Sequence, residues 1–206
     1  MDEDFAYFLK KMGPALKKRS VPTSSIERYR GKLPDQLLSY WEEHGWRGYA
    51  DGLFWTVNPQ EYEPVSVAWI GGTPLVEQDN YHIIARTAFG KLYFWGEKTG
   101  PSLRIFTPGS FCIPAPSNTV TVDTDFKMRI FFSAKSRNQN DFENLFAPAF
   151  ETLGRLEHDE MYGFVPALAL GGSSTLAHLQ KVKAVEHLVL LAQLAPLEVI
   201  THPSQI

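Results

Sequence analysis

Chemistry in this sequence would have to come from its histidines, its one cysteine, one acidic cluster and one glycine-rich turn. The six histidines are His44, His82, His158, His178, His187 and His202. No two of them stand at the two-to-five-residue spacing of common zinc sites, and no His-Glu-x-x-His helix is present. His158 stands in Glu157-His158-Asp159-Glu160, which offers carboxylate oxygens and an imidazole for a metal or for acid–base work. Adjacent residues on a helix point apart, so an enzyme built on these four needs them in a loop. Cys112 has apolar neighbours, Phe111 and Ile113, and prolines at 108 and 114; that setting suits a buried, inert thiol. No Gly-x-Ser-x-Gly elbow occurs. Gly171-Gly172-Ser173-Ser174-Thr175 follows an apolar run and precedes a helical pattern, the placement of a phosphate cradle. It lacks the Gly-Lys-Ser/Thr core. The structural reading is a strand-to-helix turn with a capping serine; the functional one is a small-ligand or nucleotide-binding regulator. Arg86, in Ala85-Arg86-Thr87-Ala88-Phe89-Gly90, sits among apolar residues and calls for a carboxylate or a clamp of backbone carbonyls.

The framework for these groups is an ordinary globular chain. Of 206 residues, 44% are hydrophobic and 13% aromatic, with five tryptophans, enough for a sizeable core and far from a disordered composition. A net charge of −3 argues against a general nucleic-acid binder. The densest basic stretch, Lys10, Lys11, Lys17, Lys18 and Arg19, reads as a solvated face. A single cysteine allows no internal disulfide, and the start Met1-Asp2-Glu3-Asp4 is opposite in charge to a signal peptide. No apolar run reaches the ~18–20 residues of a membrane span. The expectation is a soluble, cytoplasmic protein without a membrane partner or a cofactor.

Punctuation divides the chain. Phe5, Phe8, Leu9 and Met12 recur at helical spacing before Gly13-Pro14. A second short helix carries Ile26 and Tyr29, with Ser24 as its cap. The spacing predicts a helix over 34–44, with Pro34 at its first turn and Gly45 past its end. Leu53 to Val57 reads as a strand, Tyr62 to Trp69 as a helix or turn, and Tyr81–Ala85 with Lys91–Trp95 as a hairpin, joined by a third strand at Leu103–Phe106. Pro114-Ala115-Pro116-Ser117-Asn118 is the best linker. Beyond it come a helix from Phe126 capped by Asp123 or Asp125, a polar loop over 136–141, and a helix capped by Asp141 and ended by Gly154. A buried strand over Phe164–Leu170, a helix over Leu176–Leu194 and an edge strand at Val199-Ile200 complete the reading. This order predicts an α+β fold, a small mostly antiparallel sheet packed with helices. One loop stands out for contact with a partner: Trp46, Arg47 and Tyr49 in His44-Gly45-Trp46-Arg47-Gly48-Tyr49 have hot-spot chemistry.

Two segments resemble known families. Lys32 to Trp46, then Tyr49-Ala50-Asp51-Gly52-Leu53-Phe54-Trp55-Thr56-Val57-Asn58-Pro59, together with Ala85 to Gly90 and the strand to Trp95, resemble the GAD-like domain. Glu160-Met161-Tyr162-Gly163-Phe164-Val165-Pro166-Ala167-Leu168-Ala169-Leu170-Gly171-Gly172, followed by Val182 and Glu186-His187-Leu188, resemble the C-terminal domain of type VI secretion immunity proteins of the Tdi type. The resemblance implies a GAD-like domain over residues 1–113 and an immunity-type domain over 119–206. It implies a non-catalytic protein that binds a cognate toxin, in the named branch a DNase, and it brings no catalytic residues. A nuclease groove is positive, so carboxylates would complement it. Glu42, Glu43, Asp51, Glu61 and Glu63, close in sequence around the aromatic loop, are the candidates.

Overall fold

The computed structural model describes residues 2–114 and 123–200. Most of the expected linker, and His202, lie outside these residues.

Three helices open the chain: α1 (Glu3–Met12), α2 (Thr23–Tyr29) and α3 (Asp35–His44). Phe5, Phe8 and Met12 form the buried face of α1. Asp2 caps it by accepting from Phe5 N at 2.9 Å, and its second oxygen accepts from Tyr40 OH at 2.6 Å, which ties α1 to α3. Pro22, not Ser24, occupies the cap position of α2. Pro34 likewise precedes α3 and offers no side-chain acceptor. The acceptor comes from the far half of the chain: Gln36 N donates to Asp125 Oδ1 at 2.8 Å. Gly45 ends α3 with φ +67°, where a Cβ would lie 2.3 Å from Arg19 O; only glycine fits there.

The sheet begins with β1 (Gly48–Tyr49) and β2 (Phe54–Thr56). After α4 (Glu63–Ile70) and the single turn α5 (Leu75–Gln78) it continues with β3 (Tyr81–Thr87), β4 (Lys91–Gly96), β5 (Gly100–Phe106) and β6 (Phe111–Pro114). These six strands pair antiparallel in chain order. The second half contributes α6 (Thr124–Ser133), α7 (Arg137–Asn140), α8 (Phe146–Leu153), the hairpin β7 (Glu160–Phe164)–β8 (Leu179–Lys183) and α9 (Ala184–Leu194). Its last strand, β9 (Glu198–Val199), returns to pair parallel with β6, so the main sheet holds residues from both halves. The α+β expectation holds.

Several local expectations change. β6 forms just ahead of the expected linker, where no strand was expected, with Cys112 opposite Ile105. The cap expected at Asp123 or Asp125 is Asp123, which accepts from Asp125 N at 2.9 Å. Asp141 accepts from Phe146 N at 2.9 Å, so that helix begins at 146. Residues 136–141, expected as loop, hold the turn α7. The expected strand over 164–170 ends at Phe164: Pro166 has no N–H to give a ladder, and 168–170 form a 3₁₀ turn. The helix expected from Leu176 starts at Ala184. Val182 matches its spacing by coincidence, because its neighbour is Met161 across the β7–β8 ladder.

One continuous apolar core runs through both halves, from Phe5, Trp41 and Phe54 to Met128, Tyr162 and Leu188. The turn of the β3–β4 hairpin is wedged into the second half. At Gly90 (φ +84°) an added Cβ would meet Met161 Cε at 2.8 Å and Leu188 Cδ2 at 3.1 Å.

Burial pushes both His44 and His187 below the ordinary histidine value of 6.5. The unfolded chain therefore binds more protons than the folded one between 6.5 and those lower values, and stability falls as pH drops through that window. Urea midpoints measured from pH 7.5 downward should decline, and His187→Gln should flatten the decline.

Candidate partner-binding surface

Arg86 is fully buried on β3 (0% exposed), and among the described residues no ion pair joins it to a carboxylate. Its Nε donates to Tyr62 OH at 2.7 Å and its Nη1 to Thr87 O at 3.2 Å. Its Nη2 donates to His158 O at 3.0 Å and Glu160 O at 2.7 Å, and the guanidinium lies 5.3 Å from the Trp55 ring centre. The carbonyl clamp, not the ion pair, is what the chain builds. Burial pushes the Tyr62 hydroxyl's pKa up, against the pull of Arg86, so Tyr62 stays a neutral acceptor. Two further bonds cross the same seam: Trp69 Nε1 to Leu188 O at 3.0 Å and Tyr162 N to Ala88 O at 2.8 Å.

The aromatic wedge expected at 46–49 does not exist. Trp46 and Tyr49 are 3% and 1% exposed, because the loop folds inward. Trp46 packs edge-on to Trp41, and Tyr49 edge-on to Phe8. Arg47 is spent on the backbone, donating to Leu16 O at 2.9 and 2.7 Å. Of the five carboxylates, three sit in ion pairs. Glu61 holds Arg19 through contacts of 3.0 and 2.5 Å; Glu63 stands 3.8 Å from Arg28; Asp51 takes Arg137 at 3.1 Å. The hydrogen bond from Arg19 holds the Glu61 carboxyl below its usual range. Glu42 and Glu43 are exposed on the last turn of α3, where Glu43 lies 3.6 Å from His44. Three of the five carboxylates are thus already held by arginines of the chain itself.

The other chemical candidates also resolve. Asp159 pairs with Lys183 at 2.5 Å, and Glu160 faces Lys181 at 3.5 Å and accepts from Glu157 N at 2.9 Å. Glu157 and His158 are exposed, and the four do not converge. The 171–175 turn lies between two 3₁₀ turns rather than between strand and helix. Its leading N–H groups are engaged: Gly171 N on Leu168 O at 2.9 Å and Gly172 N on Ala167 O at 3.1 Å. An anion cradle needs such donors free. Burial pushes the Cys112 thiol up to about 11, the reverse of a reactive cysteine. Among the described residues no three His, Cys, Asp or Glu side chains gather as metal ligands.

Residues 3–109 match the GAD-like domain. The chain belongs to the GAD-like domain family. Residues 125–195, which complete the core behind that domain, match the C-terminal domain of the type VI secretion (T6SS) immunity protein Tdi1. That second match supports an immunity role. The solved structure of Atu4351 from Agrobacterium tumefaciens is similar over 98% of this chain and 95% of that one, with a TM-score of 0.86 at 21% identity; it shows the fold. No curated protein matches the sequence.

Arg86 links the GAD-like strands to the second segment. Arg86→Met would strand the carbonyls of His158 and Glu160 and the Tyr62 hydroxyl, each at about 1–3 kcal/mol. A total loss of about 3 kcal/mol or more is expected in urea unfolding, with Arg86→Lys recovering less than half, since an ammonium cannot reach all four acceptors.

Proposed function

We propose that this chain is a cytoplasmic immunity protein that binds a cognate type VI secretion toxin, a nuclease, and neutralises it by occlusion. The observation that carries the reading is the immunity-family match over 125–195. That segment shares its core and its buried hydrogen bonds with the GAD-like domain. The protein acts by binding rather than by catalysis, which fits the scattered, ion-paired acidic groups at 157–160. The nuclease part draws on charge. The chain carries −3 overall, and Glu42, Glu43, Glu61 and Glu63 lie on the surface around α3. Carboxylates of that kind complement a phosphate-binding groove and speed encounter with it. A nucleotide-binding regulator is less well supported, because the 171–175 turn spends its leading N–H groups internally.

Co-expression with the product of the adjacent gene tests the reading. The expected outcome is a complex that survives purification, and growth restored to cells that the adjacent product alone would kill. A harmless neighbour that does not bind would remove the reading's support. For the finer claim, the double substitution Glu42→Lys/Glu63→Lys should slow association with a nuclease toxin by about tenfold at low salt, with a smaller effect at high salt. Unchanged rates would remove these carboxylates from the interface.

A further inference from the structure

The acidic side chains around α3 are mostly paired, whereas one group of cations is not. Lys11, Lys91, Arg104 and Lys135 gather where the C-terminal ends of α1 and α6 meet the β4–β5 face. Arg104 is the cross-strand partner of Tyr93. The Lys135 ammonium sits 4.4 Å from the Tyr93 ring centre and 3.8 Å from that of Phe131, and Lys91 lies 5.5 Å from the same Tyr93 ring. Lys11 donates to Ser133 O and Lys91 to Gln139 O. No ion pair to a described carboxylate involves any of the four.

Ordinary helix electrostatics accounts for part of this. Two helix C-termini supply roughly half a negative charge each, about one unit against four cations. Burial first, and then the neighbouring Arg104, Lys91 and Lys11, push the Lys135 ammonium down to about 7.

Beside the cations lies an apolar stripe. α1 and α6 run side by side, joined by Asp4–Arg129 at 3.7 Å near one end and by Lys11–Ser133 near the other. Between these ties are Tyr7, 54% exposed, and Ile130, 44% exposed; Phe126, one turn earlier on α6, is 44% exposed. An exposed aromatic and aliphatic stripe with Arg and Lys along its rim has the composition of a binding hot spot. One helix belongs to the GAD-like segment and the other to the immunity-type segment, so neither segment carries this face alone.

We infer that the α1–α6 face is a docking surface for an acidic segment of the toxin, whose apolar side chains cover Tyr7 and Ile130 while its carboxylates meet Arg104 and Lys135. This rests on the toxin-binding reading above. The segment brings the missing negative charge and removes the exposed apolar stripe from water.

Isothermal titration of the full chain with the purified product of the adjacent gene, at two salt concentrations, tests it. The parent chain is compared with Arg104→Glu and with Tyr7→Ser/Ile130→Ser, all exposed positions, with thermal melts as a check on folding. Arg104→Glu should bind at least tenfold more weakly with a shallower salt dependence. The Tyr7→Ser/Ile130→Ser pair should lose a similar factor with the parental salt dependence. Parental affinity in both variants would overturn the docking face while leaving the immunity reading intact. Loss in the apolar variant alone would overturn the acidic chemistry of the partner. No binding by the parent chain would sink the toxin reading and this surface with it.

Discussion

A guanidinium sealed from water, with only neutral oxygens for company, is the constraint around which this fold is arranged. A buried charge is expensive unless it is hydrogen-bonded, and Arg86 is fully buried. Its N–H donors need partners, and four hydrogen bonds reach a tyrosine hydroxyl and three backbone carbonyls. Two of those carbonyls, at 158 and 160, come from the second segment. The GAD-like strands therefore cannot settle their own arginine until that segment is in place. Its place is also held by Trp69 on Leu188, by the Gly90 turn against Met161, and by β9 on β6. Two families that are matched separately in sequence form one interior.

The parts that sequence made legible were those with local causes. Pro34 and Gly45 bracket α3; Asn58-Pro59 and Gly71 to Pro74 bracket α4; the β3–β4 hairpin follows from two apolar runs around Gly90. Arg86 was recognisable as a buried cation in need of acceptors, although which acceptors it uses depends on residues more than 70 positions away. The failures have the opposite cause. Trp46 and Tyr49 look like exposed hot-spot residues until α1 and Trp41 arrive to cover them. Asp51 looks like a free carboxylate because Arg137 is 86 residues further on. Leu176 to Lys183 has a helical rhythm that the β7–β8 ladder overrides, as tertiary pairing often does. The Lys135 cluster was equally invisible, since it is assembled from α1, β4, β5 and the end of α6.

For function, the consequence is a division of the surface by charge balance rather than by net charge. Around α3, carboxylates and arginines largely cancel, which gives register and solubility more than field. At the C-terminal ends of α1 and α6, cations and exposed apolar side chains lie together, and no described carboxylate forms an ion pair with those cations. Such a surface can specify a partner, because an unpaired charge rejects as well as attracts. The face spans both segments, so its geometry depends on the same seam that Arg86 closes.

The central claim is that the GAD-like and immunity-type segments are one cooperative unit. Differential scanning calorimetry of the intact chain tests it most directly, by comparing the calorimetric with the van't Hoff enthalpy. The account predicts a single transition in which the two agree. Two resolved transitions, or a calorimetric enthalpy about twice the van't Hoff value, would show that the segments melt independently and would contradict it.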